Sequence, residues 1–118
     1  MLCQIPDITP GVISLFVSGR ISALDYSECL QPLLRRYRDE FGRVKIYIEA
    51  DVLLEGWETI LLPDAGEVQL PQADALVFVG GPDWVGNAVQ LLGPFVRGDI
   101  AWYPLEHKAQ AQEWLVRR

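Results

Sequence analysis

The chain has 118 residues, half of them apolar, and a formal net charge of −6. That is enough apolar material for one core, and the length suits a single domain over residues 1–118. An acidic balance argues against nucleic acid as a partner, because phosphate binding needs a basic surface. Apolar runs such as Ala75 to Val79 are too short to cross a bilayer, so no integral membrane segment is expected.

The N-terminus "MLCQIPDITPG" lacks the basic and long apolar regions of a signal peptide, and the two cysteines, Cys3 and Cys29, lack metal-ligand spacing. The expectation is a cytoplasmic protein with reduced thiols, Cys29 serving as a small buried hydrophobe. Charge is unevenly spread. Arg35, Arg36, Arg38, Arg43 and Lys45 form a basic cluster, whereas Ile46 to Val96 contains no Lys or Arg and carries Glu49, Asp51, Glu55, Glu58, Asp64, Glu67, Asp74 and Asp83. This polarity is either a solvated surface or an acidic face for a basic partner.

In chain order, "LCQIP" reads as a short edge strand closed by Pro6, and "ITPG" as a turn. "GVISLFVSG" alternates Val12, Ser14, Phe16 and Ser18 with Ile13, Leu15 and Val17, the period of a strand with a buried face. Ser22 and Asp25 make a helix-capping pattern. Tyr26, Leu30, Leu33, Leu34, Tyr37 and Phe41 then form one apolar helical stripe, with a kink expected at Pro32 and a stop at Gly42.

"VKIYIEA" and "ADALVFVGG" read as strands, the second apolar enough to be covered on both faces. "PDWVGNAVQLLG" reads as a shorter helix, "GDIAWYP" as a last strand and "LEHKAQAQEWLVRR" as a terminal helix. The expected fold class is α/β: a mostly parallel sheet of about five strands, with an N-terminal antiparallel pair and helices packed on it.

The segment between "VKIYIEA" and "ADALVFVGG" is less regular. Leu53, Trp57, Ile60 and Leu61 keep helical spacing, which predicts one or two turns ending by Leu62, before Pro63. "PDAG" reads as a turn, and "EVQLPQ" as an extended stretch over the core.

These elements, carrying "SGRISALDYSECLQPLL", "EGWE", "VFVGGPDW", "GPFVRGDIAWYPLE" and "AQAQEWL" in that order, resemble the SpoIIAA-like branch of the STAS-domain superfamily over nearly the whole chain. The resemblance implies a regulatory, protein-binding module. It also implies, in part of the superfamily, a phosphorylatable serine at the start of the helix after the third strand. Here that position reads "DVLLEGWET", no serine occurs from Cys29 onward, and Thr59 is flanked by Glu58. The phospho-switch is therefore not carried over. The resemblance further implies apolar ligands or membrane surfaces met through a movable crossover segment. The prolines and glycine of residues 61–72 depart from the longer crossover helix of relatives.

The apolar residues of that segment have to be covered by the core, a ligand or a partner. The candidate binding residues are Leu53, Trp57, Ile60, Leu61 and Leu70, with Tyr26 and Leu30 of the preceding helix. An apolar centre with a charged rim, Glu55, Glu58, Asp64 and Glu67 around it and Arg35, Arg36 and Arg38 on the neighbouring element, predicts a homodimer whose contact includes residues 53–70, with Trp57 as an anchor.

Catalytic chemistry is not indicated. His107, the only histidine, stands between Glu106 and Lys108 in the terminal helix and is expected to be exposed. Asp51 and Glu55 would share a helix face but lack a third metal ligand. "GGPDW" lacks the full glycine pattern of a phosphate loop. The sequence thus points to a non-enzymatic STAS-like interaction module without cofactor or metal. The alternative is a carrier or sensor of an apolar, lipid-like small molecule, with a pocket under the 53–70 segment.

Overall fold

A computed structural model describes residues 2–21, 24–54, 56–57, 73–82, 85–86 and 98–118. Among them, seven strands form: β1 (Leu2–Gln4), β2 (Val12–Val17), β3 (Arg20–Ile21), β4 (Lys45–Ala50), β5 (Gly56–Trp57), β6 (Ala75–Gly80) and β7 (Asp99–Tyr103). The helices are α1 (Gln31–Phe41), continuing a π-helical stretch at Asp25–Leu30, and α2 (Lys108–Val116), which follows a 3-10 turn at Leu105–His107.

The main sheet has the order β1-β2-β4-β6-β7. β1 pairs antiparallel with β2, and all later pairings are parallel. This is the expected architecture, a five-stranded sheet with an antiparallel N-terminal pair. The parallel register aligns Val12, Lys45, Ala75 and Asp99 across one edge and Val17, Ala50 and Gly80 across the other. Every parallel strand therefore starts at one edge of the sheet and finishes at the opposite one.

Alternation along the strands divides the core between two faces. Ile13, Leu15, Val17, Ile46 and Ile48 pack with Leu30, Leu33 and Tyr37 of the helical arm. On the other face, Tyr47, Ala75, Val77 and Val79 pack with Ala111 and Leu115 of α2. Ser14, the one buried polar residue of these clusters' strands, accepts a hydrogen bond at Oγ from the Ile8 amide at 3.0 Å. Its hydroxyl is thereby compensated for leaving water. The Tyr37 hydroxyl donates to the Asp7 carboxylate at 2.9 Å and ties α1 to the loop between β1 and β2.

Pro32 takes effect as a change of helix type. The backbone runs as a π-helix through Leu30 and becomes α-helical with Pro32 in the first turn of α1. A proline nitrogen cannot donate to the carbonyl four residues back, and its ring crowds that carbonyl; a wider turn upstream relieves both conflicts. Gly42 ends α1 as expected, at φ 71°, its amide donating to Arg38 O at 2.8 Å. Only glycine enters this left-handed conformation without a Cβ penalty. Ser22, expected as the cap at the other end, lies outside the described residues.

Two sequence expectations need correction. The helical turns expected to start at Leu53 do not form there. Asp51 instead makes a tight turn, accepting at its carboxylate from Leu53 N at 3.2 Å and at its carbonyl from Leu54 N at 3.0 Å. An aspartate that bonds its own backbone two residues on competes directly with a helix. Gly56 and Trp57 then pair in parallel with Arg20 and Ile21, as a second, two-stranded sheet. Cys29, expected to be buried, is half-buried against the α1-side core, and Cys3 is exposed; both are free thiols. The expected turn at "PDAG", the extended "EVQLPQ" and most of the "PDWVGNAVQLLG" helix lie outside the described residues.

Candidate functional site at the carboxyl edge of the sheet

Because β2, β4, β6 and β7 are parallel, their carboxyl ends share one edge, the place where open α/β sheets most often receive ligands and partners. The segment leaving β4 shows how this edge is built. The Asp51 amide donates to Val17 O at 2.9 Å, and the Ser18 hydroxyl lies 3.4 Å from the Asp51 carboxylate. The end of β4 is thereby anchored to the end of β2. The Asp51 turn then sends neighbouring side chains in opposite directions. Leu54 is 2% exposed and belongs to the core, whereas Val52 and Leu53 are 72% and 68% exposed.

The other end of this rim follows β7. Gly80 and Gly81 both have positive φ. A Cβ on Gly80 would stand 2.9 Å from Ala50 O and 3.6 Å from Leu105 Cβ. The absent side chain lets Leu105 lie against the ends of β4 and β6. The Trp102 indole donates to Gly80 O at 3.0 Å and holds that turn to β7. Leu105 is more than half exposed, as is Leu24, which opens the helical arm after β3. The edge thus displays Val52 and Leu53 after β4 and Leu105 after β7, while Leu24, beyond β3 of the second sheet, is likewise exposed. Asp51 and Glu106 adjoin them in sequence.

The candidate residues expected from sequence are distributed unevenly over this geometry. Leu53 is on the exposed rim. Leu30 is buried in the same core cluster as Leu54 and is not displayed on the surface. Trp57 lies on β5, paired with Ile21, and Tyr26 lies on the π-helical stretch. Ile60, Leu61 and Leu70 lie outside the described residues. Leu24, Val52 and Leu105 were not singled out from sequence. A usable signal was present: each is a large apolar residue just beyond a strand's carboxyl end, where no amphipathic period demands one.

On the α2 side of the sheet, a polar network serves packing. The Tyr47 hydroxyl donates to Glu49 Oε1 at 2.9 Å, and Lys108 Nζ pairs with the same oxygen at 2.8 Å. Burial pushes the Tyr47 phenol well above its ordinary range, and the adjoining Glu49 carboxylate adds to the effect. Burial alone would raise the Glu49 carboxyl; the hydrogen bonds from Lys108 and Tyr47 and the Lys108 charge outweigh it and hold the carboxyl below its usual value. The network joins α2 to β4. His107 is exposed, as expected. Among the described residues, no group of three His, Cys, Asp or Glu is placed to hold a metal ion, and no helix is long and apolar enough to cross a membrane.

Comparison with known proteins agrees with this architecture. A solved structure of an uncharacterized protein from the DUF3478 family with a SpoIIAA-like fold, from Shewanella loihica PV-4, is similar at a TM-score of 0.67 and 16% identity. The similarity covers 97% of this chain and 93% of that one, and at this identity it shows the fold alone. No curated protein matches the sequence. The SpoIIAA-like family model matches residues 12–116, from the first residue of β2 to the last of α2, and on that match the chain belongs to the SpoIIAA-like family.

Proposed function

We infer that this STAS-like domain is a non-enzymatic interaction module, binding a protein partner or a second copy of itself through the carboxyl edge of its sheet. The reading is carried by the exposure of Val52, Leu53 and Leu105 where β4 and β7 end, with Leu24 also exposed at the start of the helical arm. Covering a large apolar side chain releases about 1.5–3 kcal/mol when burial is complete, before the cost of association is subtracted. Four such residues supply a reason to associate. The adjoining acidic residues resemble the polar rim of a protein interface.

The free cysteines suit a reducing, cytoplasmic setting. Thr59 does not serve as a phospho-switch in this reading: Glu58 already places negative charge beside it, and the family's serine is missing. Self-association is the partner to test first, because symmetric pairing covers such a patch without a second gene product.

Sedimentation velocity at micromolar concentration is expected to show a dimer that Leu53→Asp and Trp57→Ala shift toward monomer. A dimer indifferent to both changes would place the contact elsewhere, and a monomer at all concentrations would end the self-association reading. A stoichiometric lipid recovered from the purified protein would assign the same rim to an apolar small molecule.

A further inference from the structure

The opposite edge of the sheet holds a cleft of about 260 Å³. Its walls come from three separate parts of the chain: Pro10 and Gly11 before β2, Phe41, Arg43 and Lys45 around the start of β4, and Val116 at the end of α2. Phe41 and Val116 are about half-exposed, large apolar residues that terminate their helices without being covered. Gly11 has a φ of 86°, and a Cβ there would stand 3.5 Å from the Phe41 ring, so the ring lies beside this turn. One side of the cleft is therefore a half-exposed aromatic surface.

The other side is cationic. Lys45 Nζ donates to Val116 O at 3.2 Å, and Arg43 Nη2 donates to the backbone oxygen of Arg118 at 2.7 Å. Neither side chain is ion-paired with an aspartate or glutamate among the described residues, although the chain carries 16 acids against ten Lys and Arg. Of the acids on adjoining segments, Asp99 pairs with Arg118 and Glu113 with Arg117, and the Asp74 carboxylate accepts the Val44 amide at 2.7 Å. Val116 O, at the end of α2, carries at most about half a unit of negative charge, less than the Lys45 ammonium supplies. Partial burial, and then the neighbouring Arg43, hold the Lys45 ammonium below its ordinary pKa. An anion placed between the two cations would relieve their mutual repulsion.

We propose that this cleft binds a small organic monocarboxylate, its carboxylate held between Arg43 and Lys45 and its apolar body laid against Phe41 and Val116. The volume falls just below the roughly 300 Å³ at which pockets for drug-sized ligands begin, which favours a compact aryl or short branched acid over a lipid chain. Arg43 keeps further N–H donors after its bond to Arg118, and a guanidinium matches a carboxylate in geometry as well as charge. The site lies at the strands' amino ends, away from the exposed carboxyl-edge rim.

Sodium benzoate and its neutral isostere benzamide, titrated into nitrogen-15-labelled protein, test the assignment. Benzoate is expected to give saturable amide shifts in residues 9–12 and 41–45, weakening as salt is added, with benzamide much weaker. Lys45→Gln, and separately Arg43→Gln at an exposed position, should each weaken benzoate about fivefold, the upper range for one exposed ion pair. Either variant suffices if the other fails to fold. Equal binding of benzamide, shifts confined to residues 52–53 and 105, unchanged affinity in the variants, or no saturable shift would each overturn the proposal.

Discussion

The two edges of the sheet are made by the same strands and differ in chemistry. At the carboxyl edge, each strand hands over to a turn or the start of a helix, and apolar side chains remain outside: Val52 and Leu53 after β4, Leu105 after β7. At the amino edge, helix ends meet strand starts. There Phe41 and Val116 are only half-exposed, beside the cations Arg43 and Lys45. A parallel sheet forces this segregation, because every crossover leaves from one edge and returns at the other. The carboxyl edge leaves large apolar side chains outside; the amino edge half-covers its own in a cleft.

The largest expected effect tests the backbone at both edges. Gly98 precedes β7, and a Cβ there would collide with the Asp74 carbonyl; Gly80, at the other edge, has positive φ and would set a Cβ 2.9 Å from Ala50 O. Gly98→Ala is expected to cost about 4 kcal/mol or more, and Gly80→Ala about 2–3 kcal/mol, in urea unfolding. A neutral Gly98→Ala would show that β6 and β7 can separate at their amino ends.

Leu54 and Leu53 give a sharper contrast within the carboxyl edge. Leu54→Ala removes a buried side chain and is expected to cost about 3 kcal/mol. Leu53→Asp alters an exposed one and should change monomer stability by about 0.5 kcal/mol or less while weakening self-association. Chemical denaturation at a concentration where the protein is monomeric separates the two. Similar losses from both would mean that the Asp51 turn does not aim these leucines apart.

The smallest effect concerns the network that joins α2 to β4. The Glu49 carboxyl has a lowered folded-state pKa, so its stabilisation is present above the ordinary carboxyl value and is lost as pH falls through the lowered one. Lys108 is about half exposed, which limits the pair's worth. Glu49→Gln is expected to cost about 1 kcal/mol at pH 7, with the difference from wild type closing below about pH 4. Thermal unfolding across that range checks the sign; a difference that widened with acidification would contradict it.

Strand and helix placement was readable from sequence because those signals are local. Alternation at Val12–Val17, the apolar run of β6 and the stripe from Leu30 to Phe41 each need only their own segment to declare themselves. The helical turns expected from Leu53 are absent there for a local reason as well: the Asp51 side chain bonds the backbone two residues on and turns the chain. Leu30, a candidate binding residue from sequence, is buried in the α1-side core, which its own helical spacing could not distinguish from a pocket lining.

Composition and pattern by themselves determined the fold class, the antiparallel start, the stop at Gly42 and the family resemblance, since each depends on residues close together in the chain or on their order. Tertiary structure decided which apolar residues stay outside and which cations line a common cleft with Phe41 and Val116. The β3–β5 pairing joins residues 20–21 to 56–57, and the amino-edge cleft joins residues 9–12 and 41–45 to Val116. Neither juxtaposition leaves a period or motif in the sequence, because register between distant segments is set by packing of the whole sheet and not by the propensity of any one stretch.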